Sequence, residues 1–444
     1  MAIAAVLQLL AGLVAAVVVT EPSPAPPPAA AAAARARPAP PAPEGWGSAG
    51  DQRAEDVLRA AAVQRLLDDR TAAVLGRDRE AFLATVDPAA EELVARQAAL
   101  FDALAEVPLA RFDYDVERLS GRPANGALDE KYGRGRWWAP DVVLRHALVG
   151  FDEAPDRDEQ HLTFVRRDGA WLIGADDDFA PVGGRTQRAI WDGGPVRVAR
   201  ASGVLVLGHG DDALLREVAE ATSAAIPRVS AVWGVAWPQK AVVLVPSTAE
   251  ELSSLLGRQS DLSRIAAVAS AEPGDDDSVI DRVIVNPQNF GSLGGLGRRI
   301  VLTHEVTHLA ARRATGPAVP VWLAEGLSDY VAYKGVDVSV QVAASDLRAE
   351  VQVGVLPAAL PTDEAFSGDN PTLASAYQQA WLAVRLLVEQ YGEPAVLAAY
   401  RGLGAAPGGG DRSLALDAEL QKAFGIDLAR LTADWQASLQ RQLG

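Results

Sequence analysis

The segment His304-Glu305-Val306-Thr307-His308 constrains this chain more than any other stretch. Residues i and i+4 share one face of a helix, so two imidazoles at this spacing can reach a single divalent ion, for zinc at about 2.0 to 2.1 Å. Glu305 is rotated by roughly 100° from His304. Its carboxylate is therefore off the ligand face but within reach of a water on the ion, where a general base for metal-assisted hydrolysis belongs. The bland alternative is a pair of helix histidines that pack or face water, and the sequence downstream weighs against it.

Gly294, Gly295 and Gly297 make a flexible entry, and the helix reads from Arg298 to a stop at Gly316-Pro317. Leu302, Val306 and Leu309 fall at i, i+4, i+7 and face the core, leaving the other face to His304 and His308. A catalytic zinc needs a third protein ligand and keeps a fourth position for water. No histidine follows His308, so the ligand is a carboxylate. The segment PVWLAEGLSDYVA from Pro320 reads as a second helix, with Pro320 in its first turn and Gly335 past its end. Glu325 lies near its start and Asp329 one turn further on the same face. Glu325 can ligate, while Asp329 can accept the other ring N–H of a ligating histidine and fix its orientation. The plain alternative is two solvated acids on an ordinary helix.

The pairing of HEVTH with WLAEGLSDYVA resembles the gluzincin zinc metallopeptidases, and within them the peptidase MA-like domain proteins of actinobacterial type. The resemblance implies zinc on His304, His308 and Glu325, Glu305 as general base and acid, and Asp329 as support for a ligand. The motif match covers roughly thirty residues, and a looser likeness in organisation runs from about Gly194 to the end. The 16 residues between His308 and Glu325 form a spacing shorter than in thermolysin and usual for the MA-like group. Gluzincins often add a Tyr or His that stabilises the oxyanion, and Tyr377, opening an amphipathic helix, is the candidate; the alternative is a core aromatic. The run from Asp281 to Pro287 reads as a strand stopped by proline, at a sheet edge, and in this class such a strand pairs with extended substrate.

The rest of the 194–444 segment carries apolar strands at 204–207 and 241–246, helices at 212–225 and 248–256, and helices at 343–353, 373–391, 394–403, 414–424 and 427–443. A small mixed sheet followed by a helical lobe is the plan the resemblance implies. His209, just after the first strand, reads as a loop residue. The 51–180 segment reads as helices at 54–75, 79–86 and 89–105, then strands at 111–119, 141–151, 161–167 and 170–174, with turns at Pro155-Asp156-Arg157-Asp158 and Arg167-Asp168-Gly169. This α+β order is similar to the cystatin-like or nuclear-transport-factor-like cone fold. Trp137, Trp138, His146 and His161 can line a pocket there, against the ordinary reading of core aromatics and strand histidines.

At 444 residues and 49% hydrophobic, the chain can bury two cores. A net charge of -17 argues against nucleic acid as partner. The absence of cysteine excludes disulfides, thiolate ligands, cysteine catalysis and cysteine lipidation. Residues 2–20 carry no charge and are long enough to cross a bilayer, and residues 21–50 follow as a Pro/Ala-rich spacer. The expectation is a single-pass membrane anchor at 1–20 with the catalytic part outside the cytoplasm; a cleaved signal segment and secretion is the alternative. Together these readings point to a zinc-dependent endopeptidase acting on peptide or protein substrates. The alternatives are a non-catalytic binding protein on a degenerate peptidase scaffold, or a zinc amidase or peptidase on cell-wall stem peptides. Oligomeric state, natural substrate and endo- against exopeptidase action are not legible.

Overall fold

In a computed structural model, residues 14–19, 49–117, 122, 125–256, 264–273, 279–407 and 411–444 are described. Two compact units divide the chain: an N-terminal unit running to Gln187, to which residues 273–278 also belong, and a second made of 188–272 and 279–444 that also takes in residues 14–18. Of the apolar N-terminal segment, only Val14–Val19 is described, as a strand first in the order of the second unit's sheet. The rest of it, and residues 20–48 of the spacer, lie outside the described residues. Among the described residues no helix is long and apolar enough to cross a membrane.

The N-terminal unit opens with the helix Ala49–Leu75, which packs against the strand Leu109–Val116. That strand pairs antiparallel with Val142–Leu148, which pairs with Asp156–Gln160. A second three-stranded sheet holds Trp137–Trp138, Thr163–Arg167 and Ala170–Ala175. Three expectations need correction. Asp156–Gln160 is a strand, although Pro155-Asp156-Arg157-Asp158 read as a turn. Its buried positions are Asp156, Asp158 and Gln160, so polar residues stand where an apolar pattern would have marked it. A helix at Gly126–Tyr132, capped by the Asn125 side chain on Ala127 N–H, and the two-residue strand Trp137–Trp138 were also unread.

The second unit is a mixed sheet with helices. Its strand order is Val14–Val19, Ile265–Pro273, Val279–Val285, Ala241–Val245, Val204–Gly208, Arg197–Ala201. Ala241–Val245 runs parallel to both neighbours, and Arg197–Ala201 is antiparallel to Val204–Gly208. The two parallel-paired strands Val204–Gly208 and Ala241–Val245 are buried throughout, as strands covered on both faces must be. Here too the structure corrects the sequence. Val279–Val285 is an interior strand and no edge, because Pro287 sits outside it, at the first position of the helix Pro287–Ser292 capped by Asn286. There the missing N–H costs no ladder bond. Ile265–Pro273, unread in the sequence, is the neighbour on its outer side.

Helix Asp212–Trp233 extends past the expected end at 225, through Pro227, and packs against helix Gly295–Ala311. The C-terminal region is helical at Val321–Tyr333, Val340–Ala343, Ser345–Gln352, Leu373–Tyr391, Glu393–Gly404, Arg412–Phe424 and Leu428–Leu443. One hydrophobic core joins sheet and helices, with Val306, Leu302, Trp435, Tyr400 and Ala380 among its buried members.

Candidate metal centre

The helix carrying HEVTH is buried along its whole second half, from Ile300 to Ala311. A helix so enclosed can keep polar residues only where each finds a use. Thr303 and Thr307 donate their hydroxyl protons back to the carbonyls of Arg299 and Thr303. Leu302 and Val306 fill the core. His304, Glu305 and His308 remain, exposed by no more than 5%.

The neighbouring helix Val321–Tyr333 begins after Pro320, and its Val321 N–H donates to the Asp363 carboxylate, which satisfies one of the free amides of its first turn. It lies against the helix Leu373–Tyr391 with almost no gap at Gly326: a Cβ there would meet the Ala380 carbonyl oxygen at 2.4 Å. Close approach at Gly326 therefore fixes how deep its neighbour Glu325 sits.

Glu325 Oε2 lies 3.1 Å from His304 Nε2 and 3.4 Å from His308 Nε2, and the two Nε2 atoms are 3.0 Å apart. The remaining ring nitrogens are held from outside the cluster. His304 Nδ1 is 2.8 Å from Asp329 Oδ1. His308 Nδ1 is 3.3 Å from Ser328 Oγ, whose own proton goes to the Ala324 carbonyl, so the hydroxyl accepts from the ring. Both Nδ1 atoms thus carry the proton, and both Nε2 lone pairs converge with a carboxylate oxygen. The corners of a tetrahedron with zinc–ligand arms of 2.0 to 2.1 Å are about 3.3 Å apart. The donor set and spacing fit zinc, and His304, His308 and Glu325 form a possible metal-binding triad.

The electrostatics agree with that fit. Burial works against charge on His304, but the Asp329 and Glu325 carboxylates outweigh it and raise its pKa well above the ordinary histidine value. Burial lowers His308 to about 4. Glu325 is held at about 2 because the two imidazoles outweigh its burial.

Glu305 is fully buried, and neither carboxylate oxygen has a hydrogen-bond partner among the described residues. Burial pushes its pKa up to about 8, the nearby Ala269 backbone and His304 opposing. The strand bordering this group is Ile265–Pro273, the place the sequence had given to the run at 281–287. Tyr377 packs its ring 6.1 Å from that of His304 and 5.1 Å from Phe366. Its hydroxyl is likewise buried without a partner, and burial together with the carboxylates of Glu325, Asp329 and Glu305 raises its pKa well above that of free tyrosine. Glu305 and Tyr377 thus place two buried polar groups beside the triad, Glu305 near the Ala269 backbone and Tyr377 near the Glu325 carboxylate.

His304, Glu305, His308, Glu325, Asp329 and Tyr377, named from the sequence, therefore gather in one place. Ser328 went unread, although its position one turn after Ala324 and between Glu325 and Asp329 was the available signal. His209 stands apart, held by Glu251 at 2.6 Å and by the Pro195 and Ile190 carbonyls. In the N-terminal unit Trp138 is buried, Trp137 donates to Asp129, His161 pairs with Arg122 and His146 with Asp158.

A family model described as the Peptidase MA superfamily matches residues 281–441. No curated protein matches the chain. Among solved structures the chain is similar to a mutant M1 zinc metallopeptidase from Deinococcus radiodurans, at 17% identity and TM-score 0.33 over 63% of this chain and 59% of that one. The same mutant bound to a Tyr-Ser-Ala substrate gives 16% identity and TM-score 0.30 over 64% and 60%. The chain thus spans about three fifths of the length of these structures.

Proposed function

We propose that this protein is a zinc-dependent metallopeptidase of gluzincin type that cleaves peptide or protein substrates, a reading supported by the match of residues 281–441 to a Peptidase MA superfamily model. The observation that carries the reading is the convergence of His304 Nε2, His308 Nε2 and a Glu325 oxygen beside the unpartnered carboxylate of Glu305. His304, His308 and Glu325 would hold the zinc ion, which when bound would supply Lewis acidity toward a peptide carbonyl and toward water. Glu305 takes the proton of the attacking water and returns it to the leaving amine. Its pKa of about 8 without metal is drawn downward by a cation beside it, toward the range a base needs near neutral pH. Asp329 and Ser328 hold the two rings, and the Tyr377 hydroxyl donates to the oxyanion of the tetrahedral adduct.

The reading extends to the chain as a whole. The uncharged 1–20 segment and the Pro/Ala-rich 21–50 spacer support, from the sequence alone, a membrane anchor or a secretion signal; the pairing of Val14–Val19 into the second unit's sheet counts against a span by those residues. The 51–180 unit is cone-like, and the 194–444 unit carries the chemistry outside the cytoplasm. The order of helices followed by antiparallel strands in the 51–180 unit supports the cone-like reading, although its strands form two three-stranded sheets in place of one curved sheet. Glu305→Gln is the test. It keeps zinc and loses hydrolysis of casein or a peptide library; full activity with zinc retained contradicts the mechanism. A parallel digest of purified cell wall tells protein substrates from stem peptides.

A further inference from the structure

The N-terminal unit buries a second group of ligand-type side chains. Strands Val142–Leu148 and Asp156–Gln160 pair antiparallel with His146 opposite Asp156 and Leu144 opposite Asp158. Residues two apart on a strand share a face, and directly opposed residues share it across the ladder. His146, Asp156 and Asp158 are therefore on one side of the hairpin, and it is the enclosed side, with exposures of 5%, 6% and 4%. His146 Nε2 lies 3.0 Å from Asp158 Oδ2. One nitrogen and one oxygen from each carboxylate all fall within 4.8 Å of one another. Asp156 Oδ1 also accepts the Arg157 backbone N–H at 3.0 Å, which fixes that carboxylate against its own strand.

A strand with one buried face ordinarily puts apolar side chains there, as Val142, Leu144 and Leu148 do on the partner strand. Asp156–Gln160 does the reverse, and local rules broken this way mark functional positions. Buried ionised groups persist when they are paired or bind metal. One imidazole nitrogen and two carboxylate oxygens on a stiff two-stranded frame suit a borderline first-row ion.

We propose that His146, Asp156 and Asp158 form a second divalent-metal site, of the class that takes Zn²⁺ or Mn²⁺, tying the strand Asp156–Gln160 to its neighbour. It does not depend on what the His304 centre catalyses. The test uses the full chain carrying His304→Ala and His308→Ala, saturated with Zn²⁺ and freed of excess ion. One equivalent of zinc is expected to remain, with an X-ray absorption spectrum of one imidazole and oxygen donors, and adding Asp158→Asn weakens its binding by at least about tenfold. Absence of stoichiometric zinc, a shell without imidazole, or binding unchanged by Asp158→Asn overturns the proposal. Because the spectrum is read with the hairpin carboxylates intact, a folding failure of Asp158→Asn leaves the spectrum to decide.

Discussion

The His304 cluster stands on two packed helices, and the His146 cluster on two neighbouring strands. Both bury an imidazole with carboxylates at hydrogen-bonding distance. The helical frame brings ligands together at four-residue spacing, supports each ring from its far side through Asp329 or Ser328, and leaves Glu305 and Tyr377 buried beside the triad. The strand frame supplies three ligand atoms from opposed positions, and no polar side chain beside them has an equally clear chemical task. On the two proposals made above, the difference separates a site that reacts from one that holds an ion. It also separates what substitutions should do.

The largest divergence is expected in activity. Glu325→Ala removes one corner of the triad and should lower zinc affinity by more than about 100-fold and abolish peptide hydrolysis, while Asp158→Asn leaves hydrolysis at the wild-type rate. Paired zinc titrations and peptidase assays check this, and equal loss in the two variants would erase the distinction. Glu305→Gln should cut kcat/KM by about 10² to 10⁴ with zinc retained. In the metal-free chain the same change acts on stability with the opposite sign. A carboxyl whose pKa is raised from 4.5 to about 8 on folding costs stability progressively as pH climbs between those values. Glu305→Gln should therefore stabilise the apo protein at pH 7.5 relative to its effect at pH 4.5, by on the order of a few kcal/mol, measured by denaturant titration at the two pH values.

Next comes support of the rings. Asp329→Asn should weaken zinc binding by about 10- to 100-fold and Ser328→Ala by less, since only the first partner is charged. Gly326→Ala drives a methyl into the Ala380 carbonyl and should cost about 1 to 3 kcal/mol together with some zinc affinity, because it displaces the turn that carries Glu325. A wild-type melting curve for Gly326→Ala would show that the two helices separate freely.

The smallest effect is at His209. Its hydrogen bond to Glu251 raises its pKa, with burial opposing and the Pro195 and Ile190 carbonyls assisting. A raised histidine contributes stability that is complete below its unfolded value, about 6.5, and is lost as pH rises through its folded value. His209→Gln should therefore destabilise by about 1 kcal/mol at pH 6 and by less at pH 9, which chemical denaturation at the two pH values resolves.

The same contrast of frames explains what could be read from the residues alone. His304, Glu305, His308, Glu325 and Asp329 were legible because their chemistry repeats at the helical period and so coincides with the pattern that marks the helix itself. Leu373–Tyr391 was legible in full for the same reason. Asp156–Gln160 was not, since its inward positions are acidic and amide side chains in place of the apolar alternation by which strands are recognised. Val279–Val285 was recognised as a strand but misplaced, because which strand lies at an edge is decided by distant pairing with Ala241–Val245 and Ile265–Pro273. Ser328 was hidden by its ordinary chemistry: only the position of the His308 ring gives its hydroxyl a task.

The central claim is that three side chains from two helices hold one zinc ion. Anomalous scattering at the zinc edge from crystals of the wild-type chain tests it most directly. The account predicts a single strong peak in contact with His304 Nε2, His308 Nε2 and the Glu325 carboxylate, with Glu305 close by and not bound. A zinc-saturated crystal with no peak between those rings, or with Glu325 turned away from it, would contradict the account.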